Sequence, residues 1–384
     1  MANIAIYHPI IRTGGGEAVC MNVIEALQDN HDLTLYTLSD VDVDFLNQYF
    51  NTTVRIPLAI TDGGLAGTAL KKSYQFWDAI TESGLGRLHA SIFGATLRDE
   101  FAEYDLVVST FGEFNFGTCS LQYIHYPMFN RRAIPDDIES RGFFRRVYDD
   151  ISDIVSGHYR HTPENATLLA NSEWTANLTE IVHGIKPTPV YPPVDTTGFD
   201  PHPWDEREAG FVAIGRIDAS KRIKVIIEIV ARLNEMGHDV PLHILGPPED
   251  EEYYEQIRER VAETNCVILE GSVSREQLIE FVCTYRYGIH GMRNEHFGIA
   301  VAEFVAGGAI PFVHDSGGQR EIVGQEELLR YTSVSDAVNK IDRVLSNDKE
   351  QARLRKDLTN VEDAFGKERF KQTVDQLVET ELEG

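Results

Sequence analysis

Lysine is scarce in this chain, at 10 residues against 25 arginines, while the acids number 61 and leave a formal net charge of −26. A surface that acidic repels a phosphate backbone, which excludes nucleic acid as a partner. It fits a cytoplasm rich in salt, where high ionic strength screens the self-repulsion, and so a halophilic source; an acidic mesophile protein is the alternative. Cysteine is nearly absent. Cys20, Cys119, Cys266 and Cys283 are scattered through apolar runs, which fits small buried thiols in a reducing compartment and offers no metal-ligand spacing. No apolar run approaches the length that spans a bilayer. The opening MANIAIYHP reads as a strand and not as a charged-then-apolar signal. The expectation is a cytoplasmic protein, at most peripheral on the inner face of the membrane. The GxGxxG fingerprint is also missing, which counts against a dinucleotide oxidoreductase.

What is present is a long, ordinary globular composition. A chain of 384 residues with 42% hydrophobic side chains exceeds one core and suits two domains. Short apolar strands alternate with periodic helices twice over, which predicts an α/β protein with two facing, doubly wound Rossmann-like sheets. In the first half, strands are predicted at Asn3–His8, His31–Thr37, Thr53–Pro57, Asp105–Ser109, Ser120–His125 and Thr167–Asn171. The Pro- and charge-rich stretch after Asp195 marks a boundary. The expected division is therefore 1–195, a linker at 196–208, a second domain at 209–362, and a final helix over 363–384 that crosses back onto the first domain.

The stretch Tyr287–Gly308 concentrates the chemistry. A strand ends at Ile289, a polar loop follows, and an apolar helix starts near Gly298 with Glu303 in its second turn. Unpaired N–H groups and the positive end of the helix face that loop, a favourable place for phosphate. Glu295 stands at the mouth. Two readings compete: a cap and a structural ion-pair partner, or two acceptors for hydroxyls around a nucleotide diphosphate. Arg216 and Lys221 follow the first strand of the same half, so both loops lie at the carboxyl edge of one sheet. Two cations there suit a diphosphate and would neutralise it as it leaves, with no acidic metal cage in sight. In the first half, Gly14–Gly16 form a strand-to-helix turn, and His125 ends a parallel strand. Residues 129–150 mix arginine with aromatic side chains, a possible face for a lipid or an acceptor, or ordinary helix packing with solvated arginines.

Seven motifs fall in one order: GGGE (Gly14–Glu17), YIHYP (Tyr123–Pro127), NSEWT (Asn171–Thr175), YPPVD (Tyr191–Asp195), GRIDASKR (Gly215–Arg222), NEHFGIAVAE (Asn294–Glu303) and DSGGQREIV (Asp315–Val323). In that order they resemble the GT-B glycosyltransferases of family 4, the retaining "group 1" enzymes. The wording of several is similar to the dolichol-pathway α-1,2-mannosyltransferase subgroup. The resemblance implies a hexosyltransferase that needs no metal or other cofactor. It would use a nucleotide-sugar donor such as GDP-mannose or UDP-glucose and a glycan or lipid-linked acceptor. It implies Glu303 on the ribose and Glu295 on the donor sugar. Arg216, Lys221 and the backbone N–H groups of Phe297, Gly298 and Ile299 would hold the diphosphate. Gly15 and Gly16 would approach it without obstruction, and His125 would lie near the reacting carbon. The glycine turn continues GEAV where related enzymes often carry Arg after the Glu, so charge contacts from the first domain are open. A nucleotide-sugar epimerase and a non-catalytic nucleotide-sugar-binding protein are the rival functions.

Overall fold

The computed structural model describes residues 1–55, 58–80, 86–135, 138, 142–156 and 165–383. The chain divides into two compact units, Met1–Asp195 with Lys367–Gly384, and Thr196–Gly366.

The first unit is built on a parallel sheet of β1 (Asn3–Tyr7), β2 (Asp32–Tyr36), β3 (Ala59–Thr61), β4 (Leu106–Ser109), β5 (Ser120–Ile124), β6 (Ala166–Ala170) and β7 (Thr188–Pro189), in the order β3-β2-β1-β4-β5-β6-β7. Alternate residues of a strand point to opposite faces, and both faces here are apolar. Ile4 and Ile6 pack with Val19, Val23 and Leu27 of the helix Gly15–Leu27. Ala5 and Tyr7 pack on the other side with Phe93, Phe101, Phe114 and Phe129. A parallel sheet covered on both faces needs this. The helix Lys367–Glu383 belongs to this unit: Phe370, Val374 and Val378 lie in the same core as Ile4 and Ile6.

The second unit carries β8 (Glu208–Ile214), β9 (Leu242–Leu245), β10 (Val267–Gly271), β11 (Tyr285–His290), β12 (Ile310–His314) and β13 (Arg330–Tyr331), all parallel, in the order β10-β9-β8-β11-β12-β13. In both sheets the order reverses direction beside the central strand, the place where such folds bind ligands at the carboxyl edge.

Two expectations are corrected. The segment predicted as a strand over Thr53–Pro57 is not one among its described residues. Its backbone N–H groups are taken by side chains instead: Thr53 N by Glu25 at 2.7 Å, Val54 N by Asn47 at 2.9 Å and Arg55 N by Gln28 at 2.8 Å. The third strand lies a few residues later, at Ala59–Thr61. Nor is 196–208 a linker. Phe199 packs into the core of the second unit, and Arg207, 4% exposed, donates to the carbonyls of Gly307 (2.7 Å), Val282 and Tyr285. The Arg207 charge is used inward, in a stretch whose Pro-rich composition reads as solvent-facing.

Candidate active site

In the second unit the loop after β8 and the loop after β11 converge. Lys221 closes a short 3-10 turn, Ala219–Lys221, and its Nζ donates to Glu295 Oε2 at 2.8 Å. Burial alone would keep the Glu295 carboxyl protonated. The Lys221 ammonium, with smaller help from His290 and His296, outweighs burial and holds it down to about 2. Below this pair a small cleft is lined by Gly215, Lys221, Ile226, Ile289, His290 and Gly291.

The helix Ile299–Ala306 follows Gly298, whose φ of +105° only glycine adopts readily, and no side chain caps it. Its position is fixed from beneath by β11. A Cβ on Gly288 would lie 2.3 Å from Phe304 Cγ, so the phenyl ring rests directly on the strand backbone. One residue earlier, Glu303 is 8% exposed and pairs with Arg275 of the helix Arg275–Thr284. Arg275 in turn stands 5.2 Å over the Phe199 ring. Both acids singled out in the sequence therefore hold a cation, as a buried carboxylate must.

Arg216 does not join Lys221. Its guanidinium bridges Glu249 at 2.8 Å with more than half of the side chain exposed, and Arg293 turns to His314 Nε2 at 3.2 Å. The residue that sequence reasoning missed is Gln319. It is fully buried and ties together three segments: it meets His290 Nδ1 at 2.7 Å and donates toward the carbonyls of Met292, His314 and Ser316. Gly318 N adds a bond to Glu295 O at 2.7 Å. The SGGQ motif is thus the clamp on the Glu295 loop.

In the first unit three neighbouring strands, β1, β4 and β5, deliver His8, Thr110 and His125 at their carboxyl ends. His125 Nε2 lies 2.9 Å from the Thr110 carbonyl, which only accepts, so this nitrogen carries the hydrogen. His8 Nδ1 lies 2.9 Å from Thr110 Oγ1, and its Nε2 is 3.8 Å from Glu17 Oε1. Burial alone would favour the neutral ring, but Cys20 and Glu17 beside it push the His8 pKa up to about 10. Burial works against the Glu17 charge too, yet His8 and the backbone N–H of Arg12 bring that carboxyl down to about 2. His8 and Glu17 thus sit together behind the glycine turn, where Ala18 follows the Glu. Gly15 and Gly16 open the helix, and a Cβ on Gly16 would lie 3.6 Å from His125 Nε2.

A cavity of about 1330 Å³ lies elsewhere. It is lined by Met1, His31, Asp105, Cys119, Asn165 and Glu379, at the amino ends of the first sheet's strands, the edge opposite the one where open α/β sheets bind ligands. His31, Asp375 and Glu379 come together there. Ala2 N donates to His31 Nδ1 at 3.4 Å. His31 Nε2 lies 3.3 Å from Glu379 Oε1.

Residues 195–360 match the model of the family described as "Glycosyl transferases group 1". The match falls within the second unit and its boundary, and the chain as a whole has the GT-B fold. Among its relatives is a Mus musculus protein named GDP-Man:Man(3)GlcNAc(2)-PP-Dol alpha-1,2-mannosyltransferase, 24% identical over 376 residues, covering 83% of this chain and 73% of that one. A Caenorhabditis elegans protein of the same name is 24% identical over 368 residues, covering 83% and 77%. Among solved structures, Anabaena HepE in complex with UDP and glucose superposes with a TM-score of 0.71 at 12% identity, covering 99% of this chain and 100% of that one. WaaG, a glycosyltransferase involved in lipopolysaccharide biosynthesis, superposes at 0.69 with 11% identity, covering 98% and 99%.

Proposed function

We propose that this enzyme transfers mannose from GDP-mannose to a lipid-linked glycan at the cytoplasmic membrane face, with retention of configuration. The observation that carries the reading is the Lys221–Glu295 pair at the carboxyl edge of β8 and β11, beside an uncapped helix start. The named activity of the mannosyltransferase relatives supplies the donor and acceptor classes.

In this reading Lys221 and the backbone N–H groups of Phe297, Gly298 and Ile299 hold the diphosphate. They stabilise the negative charge that grows on it as the glycosidic bond breaks, so that no metal is needed. Arg216 joins them by releasing Glu249, a pair exposed enough to exchange cheaply. Glu303 takes the ribose hydroxyls, Glu295 those of the sugar, and Gly15, Gly16 and His125 line the approach to the reacting carbon. The acceptor's proton passes to the leaving phosphate.

Membrane contact is part of the proposal. Along the helix Phe143–Ser156, Val147, Ile151 and Ile154 are exposed at successive turns, a stripe that suits the headgroup boundary. Of the buried acids of that helix, Asp149 pairs with Arg87 and Asp153 accepts from the backbone N–H of Asn130 at 3.2 Å. Arg141 lies outside the described residues, as do the side chains of Phe143, Phe144 and Arg145. No described helix is long and apolar enough to cross a membrane. Flotation with anionic liposomes tests the contact, and a protein that stays wholly in solution overturns it.

The activity is tested by a donor screen in molar salt with GDP-mannose, UDP-glucose, UDP-GlcNAc and UDP-galactose, with and without membrane lipid extract. Release of GDP from GDP-mannose that rises with extract and falls in Glu295→Ala is the expected result. Release from a UDP-sugar alone reassigns the donor, and binding without release from any donor points to a binding protein.

A further inference from the structure

Gln319 fixes more than the loop. Its Nε2 faces the carbonyl oxygens of Met292, His314 and Ser316 at 2.9, 3.0 and 3.1 Å. Carbonyls only accept, so this end is the NH2, and the atom 2.7 Å from His290 Nδ1 is the amide oxygen. His290 Nδ1 therefore carries its hydrogen, and in the neutral ring Nε2 is a bare lone pair. That nitrogen is buried with no hydrogen-bond partner, and it lies 3.5 Å from Glu295 Oε2. A lone pair facing a carboxylate is repulsive. It is tolerated because the Lys221 ammonium lies 2.8 Å from the same oxygen.

The groups around His290 are Lys221 from the turn after β8, Glu295 from the loop after β11 and Gln319 from the helix Gln319–Val323, while Tyr331 of β13 donates to its carbonyl at 2.8 Å. Burial, then the Lys221 charge, brings the ring's pKa down to about 4, so it is neutral near pH 7. Removing Lys221 from Glu295 reverses the second of these effects and leaves a buried carboxylate without its cation.

We infer that His290 is a positioning residue that takes up one proton when the donor's diphosphate draws Lys221 away, and so replaces the ammonium as the cationic partner of Glu295. The inference rests on the reading of Lys221 as the diphosphate ligand. The proton comes from solvent and adds to Nε2, whose N–H then donates to Glu295 Oε2. No covalent bond to carbon or phosphorus changes. Glu295 thereby keeps its charge and orientation for the sugar while Lys221 serves the phosphates. Because the complex binds one more proton than the free enzyme, nucleotide affinity rises as pH falls toward the free ring's pKa.

Calorimetric titration of the intact protein with GDP, and separately with UDP, between pH 6 and 8 in buffers of different ionisation heat counts the protons taken up. His290→Gln supplies the baseline for the nucleotide's own phosphate. The expected result is up to one proton more in the wild type, with its Kd changing up to about tenfold per pH unit relative to the variant. Equal uptake in both overturns the inference. Should the variant not fold, the ring-nitrogen NMR signals of wild-type His290 decide: Nε2 must change from bare to protonated on adding GDP, and an unchanged signal overturns the inference. A Lys221→Ala protein that binds GDP as the wild type does overturns the diphosphate reading itself. Weakened binding in Lys221→Ala without wild-type proton uptake overturns the role of His290 alone. Binding of neither nucleotide overturns both.

Discussion

Lys221 Nζ lies 2.8 Å from Glu295 Oε2, joining residues 74 positions apart in the chain. In the proposed reading the pair gives each partner a second task, since the cation meant for the phosphate also orders the acid meant for the sugar. Lys221→Ala is therefore expected to lower turnover by about an order of magnitude or more, because charge developing on the leaving group loses its nearest cation. Steady-state nucleotide release measures it, and wild-type turnover in the variant would sink the assignment.

The same contact makes part of the stability acid-labile. The carboxyl of Glu295, only 14% exposed, titrates at about 2 in the folded protein, below the usual 4.5. Its contribution is fully present above pH 4.5 or so and is lost as pH falls toward about 2, on the order of 3 kcal/mol in all. Chemical denaturation of the wild type and Glu295→Gln across pH 5 to 3 checks it. The wild type should lose stability more steeply, and parallel curves would contradict the depressed pKa.

Gly16 offers a clean separation of folding from binding. An added methyl lies 3.6 Å from His125 Nε2, an ordinary contact, and alanine is the better helix former. Gly16→Ala should melt at or above the wild-type temperature while losing kcat/KM. A variant with unchanged kcat/KM would show that nothing approaches this turn during catalysis.

Arg207 donates to three backbone carbonyls, those of Gly307, Val282 and Tyr285. Arg207→Leu strands them in the core of the second unit and should destabilise it by about 3 kcal/mol. The denaturation midpoint reads this directly, and a shift within error would mean that the carbonyls find other partners.

The sequence carried the alternation of strands and helices because a doubly covered parallel sheet writes continuous apolar runs such as NIAIY and DLVVS. It also carried Lys221 and Glu295, since both follow strands that must end at one edge. Direction within a loop was not written there. Arg216 and Lys221 belong to one motif, yet one turns out to Glu249 and the other in to Glu295. Arg275 was invisible because it reaches Glu303 from a neighbouring helix whose placement only tertiary packing decides. Gln319 looked like one polar residue in a glycine-rich motif; its weight comes from the carbonyls that converge on it. The strand expected at Thr53–Pro57 failed for a related reason, since side chains of Glu25, Gln28 and Asn47 satisfy a backbone that its β-branched residues had marked for a ladder.

The helix Lys367–Glu383 lends Phe370, Val374 and Val378 to a core otherwise made from the first 195 residues. On the ribosome the second unit therefore completes its sheet while the first still waits for its last helix. The half synthesised first is the half finished last, and until then the apolar face that receives Phe370, Val374 and Val378 is left to solvent or to a chaperone. A nascent chain arrested just before Lys367 should accordingly resist protease in its later half and be cut in its earlier one.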